Sequence, residues 1–142
     1  MTTPRPTLRI HRHFDASAER VFDAWLDPKT AGRWLFATPN GTMLRVDIDA
    51  RVGGTFCVVR RDGDDVEHVG TYEVIDRPRR LVFTFGVPKF SSETTRVTVD
   101  IVSAGGGCDL TLTHENVLPD WAERTKEGWT GIVDGLAKSL AE

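Results

Sequence analysis

The pattern of apolar positions is most regular at the C-terminal end of the chain, between Asp120 and Ala141. Apolar or long side chains recur there every three or four residues, which predicts an α-helix with one apolar stripe and charged residues opposite it. Asp120 followed by Glu123 is typical of an N-cap with its capping-box partner, so we expect the helix to begin at Asp120. The stripe consists of Trp121, Thr125, Trp129, Ile132, Leu136 and Leu140.

Three glycines, Gly128, Gly131 and Gly135, lie inside this predicted helix along one edge of its apolar stripe. Each costs about 1 kcal/mol relative to alanine in a helix interior, so their presence needs a structural reason. Either another backbone approaches that edge closely, or the helix leaves empty volume beside its aromatic side chains. The second alternative predicts a pocket.

The N-terminal part of the chain predicts one strand followed by two short helices. Residues 7–14 alternate between two faces with a period of two, which is typical of a half-buried strand. Ser17 is a favourable N-cap for a helix that ends before Pro28, and a second short helix follows over residues 29–35. The apolar face of the first helix contains Val21, Phe22, Trp25 and Leu26.

Residues 43–116 carry strand and turn signals throughout. Gly53-Gly54, Asp62-Gly63, Arg77-Pro78 and the glycine run 105–107 each mark a short turn. Such short connections predict an antiparallel meander of strands. The runs with a period of two are 44–48, 55–61, 66–75, 81–87, 95–103 and 109–116.

The same alternation divides the predicted sheet into an apolar and a polar face. A curved antiparallel sheet of about seven strands that wraps around the C-terminal helix buries the apolar face of every element. We therefore predict one α+β domain over residues 1–142, with the two short helices between strands one and two. In the run 44–48, apolar Leu44, Val46 and Ile48 alternate with charged residues. The apolar positions of the later strands are Phe56, Val58, Gly70, Tyr72, Val74, Leu81, Phe83, Phe85, Val97, Val99, Ile101, Leu110 and Leu112.

Composition excludes several classes of function. The chain is 39% hydrophobic and 27% charged, and it has no apolar run long enough to span a membrane. Its net charge of -3 argues against a nucleic-acid partner. The two cysteines, Cys57 and Cys108, form no CxxC pair, and the N-terminal residues contain no apolar signal segment. We expect a cytoplasmic protein without membrane insertion.

Three residues at inward-facing positions are candidates for polar contacts with a ligand. His114 shares its parity with Leu110 and Leu112, so we expect it to point inward near the end of the last strand. It either contacts a ligand or acts as an acid or base, or it is a hydrogen-bonded histidine at the rim of the sheet. The same alternatives apply to His68. Arg12 either anchors a ligand carboxylate or, more commonly, pairs with an acidic side chain.

Metal, cofactor and catalytic signatures do not occur in the sequence. His11 and His13 share one face of the first strand, but two imidazoles are too few for a metal site. No nucleophile elbow, phosphate loop, HExxH or dinucleotide fingerprint is present. We expect structural thiols at Cys57 and Cys108, no metal, no cofactor and no catalytic residue, which favours a non-enzymatic role.

Several segments resemble one family, namely IHRHFDASAERVFDAW, RVGGTF, HVGTYEVIDRPRRLVFTF, LTLTHENV and EGW. They are similar to bacterial single-domain relatives of the activator of the ninety-kilodalton heat-shock protein's ATPase, in the SRPBCC superfamily of START-related domains. The resemblance extends from Leu8 to Leu140. It implies a helix-grip fold with a deep cavity that holds lipids, sterols, polyketides or plant hormones, with enzymes as a minority. It also implies a chaperone as a possible partner.

The leading hypothesis is a carrier or sensor that binds a small hydrophobic ligand in a cavity between the helix and the sheet. The alternatives are a cyclase or hydrolase that uses His114 in that cavity, and a chaperone-interacting stress-response module. We expect a monomer or weak homodimer. Tyr72 and His114 would orient the ligand, although ordinary core packing also explains any one aromatic residue. The predicted walls are Trp25, Trp34, Phe56, Phe83, Phe85 and Trp129.

Overall fold

The computed structural model describes residues 5–37, 40–90 and 93–141. Within these ranges, seven strands and three α-helices follow one another in the order that the sequence predicts. A short 3-10 turn, Pro119–Trp121, precedes the last helix. The elements are β1 (Leu8–Phe14), α1 (Ala18–Leu26), α2 (Pro28–Trp34), β2 (Thr42–Ile48), β3 (Thr55–Asp62), β4 (Asp64–Asp76), β5 (Arg80–Phe85), β6 (Thr95–Ala104), β7 (Gly107–His114) and α3 (Ala122–Ala141).

The seven strands form one antiparallel sheet in the order β1-β7-β6-β5-β4-β3-β2. Strands β2 to β7 pair in chain order, as the short turns predict. The first strand pairs with the last, with Leu8 opposite His114 and Phe14 opposite Cys108. The predicted α+β fold, a curved sheet around a long C-terminal helix with two short helices between β1 and β2, is confirmed.

The first short helix begins at the predicted N-cap, Ser17, and the second begins at Pro28, where Asp27 is a cap that the sequence analysis did not identify. The Ser17 hydroxyl oxygen accepts a hydrogen bond from the Arg20 amide at 3.2 Å, and the Asp27 carboxylate accepts one from the Lys29 amide at 3.1 Å. Helix α2 packs against α3, where a Cβ atom built on Gly135 would lie 3.5 Å from the Trp34 Cβ. No helix in the described part of the chain is both long and apolar enough to cross a membrane.

Two β-bulges displace residues that the alternation assigns to the apolar face. The register between β2 and β3 shifts between Met43 and Arg45, so that Met43 packs against the core and Leu44 is 43% exposed. A second shift, between Tyr72 and Val74 of β4, leaves Val74 38% exposed. An extra residue in one strand changes which side chains face inward, and no strict period of two can reveal it.

The start of α3 also differs from the prediction. Asp120 lies inside the 3-10 turn and α3 begins at Ala122, so the predicted N-cap at Asp120 is wrong. Pro119 favours the first position of a helical segment because its φ angle is already helical, which accounts for the earlier turn. Trp121 precedes α3 and is 40% exposed, so it does not belong to the buried stripe.

Candidate functional site

The predicted aromatic side chains converge between α3 and the sheet, and they fill most of that space. Trp25 and Trp34 meet edge to face with ring centroids 4.8 Å apart, and Phe56 lies edge-on to Phe83 at 5.4 Å. The void among these rings, which we call the inner void, measures about 10 Å³, roughly the space of one water molecule. Its lining includes Trp25, Leu35, Phe36, Phe56, Tyr72 and Phe83.

A larger cavity of about 150 Å³ lies where β7 leads into α3, and we call it the rim pocket. Phe85, Thr95 and His114 line it from the adjacent ends of β5, β6 and β7. The β5–β6 and β7–α3 connections supply most of the other lining residues, and Thr125 of α3 completes it. The apolar residues from the two connections are Val87, Phe90, Val117, Leu118 and Trp121.

His114 lies at the centre of a chain of hydrogen bonds. The Trp129 indole N–H donates to His114 Nδ1 at 2.9 Å, so Nδ1 is the acceptor and Nε2 carries the proton of the neutral ring. His114 Nε2 then donates to Thr95 Oγ1 at 2.6 Å, and the Thr95 hydroxyl donates to the Phe85 carbonyl oxygen at 3.3 Å. The chain joins α3 to three strands and determines the tautomer of the imidazole.

Burial keeps His114 neutral. The residue is 3% exposed, and this burial lowers the pKa of the imidazole to about 4. Both ring nitrogens are already engaged, so proton transfer to or from a substrate would require one of these hydrogen bonds to break. Of the sequence alternatives, the structure shows the hydrogen-bonded histidine at the rim of the sheet. Contact with a ligand stays a prediction, because His114 also lines the rim pocket.

Two exposed aromatic rings stand at the mouth of the rim pocket. Phe90 and Trp121 lie with ring centroids 5.6 Å apart, and the Arg124 guanidinium lies 5.6 Å from the Trp121 ring. Glu93 is the one charged residue among the described lining residues, and it accepts hydrogen bonds of 2.7 and 3.3 Å from Arg5. Sequence reasoning did not single out Phe90, since its contact with Trp121 joins distant segments and leaves no local periodicity.

His68 lies elsewhere in the interior. Its Nδ1 donates to the Val58 carbonyl oxygen at 3.1 Å, and its ring stacks on Phe36 at 4.4 Å and 2°. Burial lowers the pKa of this imidazole to about 4 as well. Tyr72 lines the inner void instead of the rim pocket, and burial raises the pKa of its phenol. Of the two residues predicted to orient a ligand, His114 alone therefore borders the larger cavity.

The remaining polar candidates are engaged with protein partners. Arg12 pairs with Asp134 of α3, which confirms the predicted salt bridge. His13 hydrogen-bonds Asp109 at 2.7 Å, and no group of three or more potential metal ligands occurs within residues 5–37, 40–90 and 93–141. Both cysteines are free thiols, Cys108 being buried and Cys57 partly exposed.

The glycine edge of α3 borders neither cavity. Cβ atoms added at Gly128 and Gly131 would meet no atom of the described residues within 4 Å, and both glycines are exposed. Gly135 lies against Trp34 of α2, so close approach of another helix explains this glycine. The pocket predicted from these glycines is therefore wrong, and the rim pocket arises from the two connections instead.

A curved antiparallel sheet closed around a C-terminal helix, with an aromatic interior and a cavity at one end, defines a helix-grip protein of the SRPBCC type. The family model described as "Activator of Hsp90 ATPase homolog 1-like protein" matches residues 15–141, and the chain belongs to this family. No curated protein matches the chain.

Solved structures of bacterial proteins share the fold over nearly the whole chain. CV1439 from Chromobacterium violaceum is 26% identical, with 93% of this chain and 94% of that chain covered and a TM-score of 0.85. The AHSA1-like protein from Aeromonas hydrophila is 24% identical, with 96% and 92% covered and a TM-score of 0.84. CalU16 from Micromonospora echinospora is 22% identical, with 94% and 75% covered and a TM-score of 0.74.

Proposed function

We propose that the protein binds small, neutral, apolar ligands in the rim pocket, as a carrier or sensor. The rim pocket is the observation that carries this proposal, because it combines a volume of about 150 Å³ with mostly apolar walls. An engineered apolar cavity of about 150 Å³ in another protein binds benzene, so the volume suits one ring or a short branched alkyl group. The proposal agrees with the fold family, which commonly binds hydrophobic ligands.

The polar atoms of the rim pocket favour a neutral hydroxyl group on the ligand. Thr95 Oγ1 has two lone pairs, and the proton on His114 Nε2 occupies one of them. The second lone pair is able to accept a hydrogen bond from a phenol or alcohol. A carboxylate is disfavoured because the walls are mostly apolar, Glu93 is already paired with Arg5, and the described lining residues include no Lys or Arg.

The predicted aromatic set divides into two groups under this proposal. Phe85 contacts the ligand, and Trp129 holds His114 in place through its indole N–H. Trp25, Trp34, Phe56, Tyr72 and Phe83 pack around the interior, and their contact with a ligand stays a prediction that requires the interior to open.

The test is a titration with single-ring compounds of matched shape, namely p-cresol and p-toluate. Binding is followed by calorimetry and by the indole N–H resonance of Trp121 in ¹H–¹⁵N spectra. We expect p-cresol to bind and to shift this resonance, and p-toluate to bind about tenfold more weakly or not at all. Failure of every neutral single-ring compound to shift Trp121 at millimolar concentration would refute the proposal.

A matched pair of α3 variants locates the binding. Thr125→Phe places a ring in the rim pocket and is expected to abolish p-cresol binding, because Thr125 lines that cavity. Glu127→Phe adds the same ring at an exposed position two residues away on the same helix and should leave binding unchanged. Equal affinities of the two variants for p-cresol would place the ligand elsewhere.

A further inference from the structure

Trp25 has a buried hydrogen-bond donor without a partner. The residue is 2% exposed, its Nε1 has no hydrogen-bond partner among residues 5–37, 40–90 and 93–141, and it lines the inner void. Leaving such a donor unsatisfied costs free energy, which an acceptor atom in the void would recover. A water molecule is poorly suited to this role because buried waters usually make about three hydrogen bonds, and among the described lining residues Trp25 and Tyr72 are the two with polar side chains.

Two stacked rings link the lining of the inner void to the lining of the rim pocket. Phe36 lines the inner void, Phe85 lines the rim pocket, and their ring centroids are 5.3 Å apart. Phe85 is held in β5, whereas Phe36 lies in the connection between α2 and β2. Displacement of the Phe36 ring would therefore extend the inner void as far as the Phe85 ring, and a turn of the Phe85 side chain would complete a passage to the rim pocket.

Phe36 is in a conformation that favours such a displacement. Its φ angle is 59°, in the left-handed region where a bulky side chain is rare and strained. Its ring is held by stacking on His68 and Phe85, and its carbonyl oxygen accepts a hydrogen bond from Arg60 at 2.9 Å. A strained residue in a connection changes conformation at lower cost than a residue inside a sheet.

We propose that the rim pocket and the inner void become one channel when Phe36 moves aside and the Phe85 ring turns, and that Trp25 Nε1 binds a carbonyl oxygen of the ligand at the inner end of this channel. The ligand class is then a neutral, elongated apolar molecule with a ketone or ester group, such as an alkyl aryl ketone. A charged group is excluded from the inner end because the described residues that line the inner void include no charged side chain. The inference rests on the proposed function of the rim pocket and extends it.

The experiment follows the indole N–H resonances of the four tryptophans, assigned with Trp→Phe variants. Alkyl aryl ketones of increasing length are compared with alkylbenzenes of the same length. We expect both series to shift Trp121, and the longer ketones alone to move the Trp25 proton downfield, as a new hydrogen bond requires. Trp34 is an internal control, because its Nε1 is also buried and unpartnered but the residue does not line the inner void.

Two variants test the role of Phe36. Phe36→Leu removes one of the two stacked rings and is expected to raise the affinity for the longer ketones about tenfold, without changing the affinity for p-cresol. Phe90→Leu, a matched change at the mouth, should weaken both kinds of ligand alike. Trp25→Phe should reduce the preference for ketone over alkylbenzene about fivefold, the effect of one hydrogen bond.

The outcomes separate this inference from the proposed function. If the ketones shift Trp121 while Trp25 is unchanged in both the wild type and Phe36→Leu, the rim pocket binds ligands and the inner channel is refuted. If no ligand shifts either resonance, both proposals are refuted. A Trp25 shift that the alkylbenzenes produce equally would also overturn the carbonyl assignment.

Discussion

The two ends of the space between α3 and the sheet are lined by similar side chains, yet one end is filled and the other is open. At the end covered by α1 and α2, Trp25 and Trp34 interlock with the rings of the sheet and leave about 10 Å³. At the rim, Phe85, Phe90 and Trp121 border about 150 Å³. The difference follows from what covers each end, because two helices pack over the first and two chain connections border the second.

The two ends therefore contribute differently, the inner end to folding stability and the rim to ligand binding. The inner rings are almost completely buried, so they contribute the transfer and packing energy of large aromatic side chains. Phe90 and Trp121 are 58% and 40% exposed, so they contribute less to folding and leave apolar surface available to a ligand. Changes at the inner end should therefore alter the free energy of unfolding, and changes at the rim should alter affinity.

The largest expected effect is that of Trp34→Ala. Trp34 is 1% exposed and lies between Trp25 and α3, so its truncation should lower the free energy of unfolding by about 3–5 kcal/mol. Urea unfolding measures the loss, and p-cresol binding by the folded fraction should persist. A loss below about 1 kcal/mol would show that the interior is loosely packed. Trp34→Phe, a smaller truncation, gives the same comparison if the alanine variant does not fold.

The pH dependence of stability tests the two buried histidines, His68 in the interior and His114 beside the rim pocket. Burial lowers the pKa of His68 and of His114 from 6.5 to about 4. As the pH falls, the unfolded chain binds these protons at a higher pH than the folded protein does. The free energy of unfolding therefore keeps its full value above about pH 6.5 and declines towards pH 4. The decline should amount to about 3 kcal/mol for each histidine.

Urea unfolding at several pH values between about 7.5 and 4 measures this decline. His68→Gln and His114→Gln should each remove the contribution of one histidine to the slope. His114→Gln should also weaken p-cresol binding, because it disturbs the hydrogen bonds to Thr95, whereas His68→Gln should not. A slope that neither substitution changes would show that both imidazoles are able to bind protons in the folded state.

Sequence periodicity predicted the fold closely, because most elements bury one regular face. Parity placed Phe85 and His114 inward, and both line the rim pocket. It misplaced Leu44 and Val74, since a bulge adds one residue and changes the faces locally. Local pattern carries no information on where a bulge occurs, which depends on the partner strand.

The candidate site was predicted less completely than the fold. The aromatic residues were identified, but composition cannot distinguish a ring that fills the interior from a ring that borders a cavity. Phe36 and Phe90 lie in connections, where no period exists, and Trp121 was assigned to a helix that begins one residue later. These residues acquire their roles through contacts between distant segments, which appear first in three dimensions.

A smaller effect is expected for the rim residue Trp121. Trp121→Ala should lower the affinity for p-cresol about tenfold, which corresponds to about 1.4 kcal/mol, because it removes one wall of the rim pocket. The free energy of unfolding should change by less than about 1 kcal/mol, since the side chain is partly exposed. Val102→Ala is the control, as Val102 is 65% exposed and does not line this cavity. A large loss of stability in Trp121→Ala would contradict the division between the two ends.

The smallest effect is expected at the glycines of α3, which border neither the inner void nor the rim pocket. Gly128→Ala and Gly131→Ala should each stabilise the protein by about 1 kcal/mol, because a Cβ atom there meets open space and alanine is the better helix former. Gly135→Leu should destabilise it, because the added side chain would meet Trp34. Thermal unfolding and p-cresol titration of the three variants measure both properties. A loss of affinity for p-cresol in Gly128→Ala or Gly131→Ala would mean that the ligand binds along this edge of the helix. The glycine edge, and not the rim pocket alone, would then belong to the binding site.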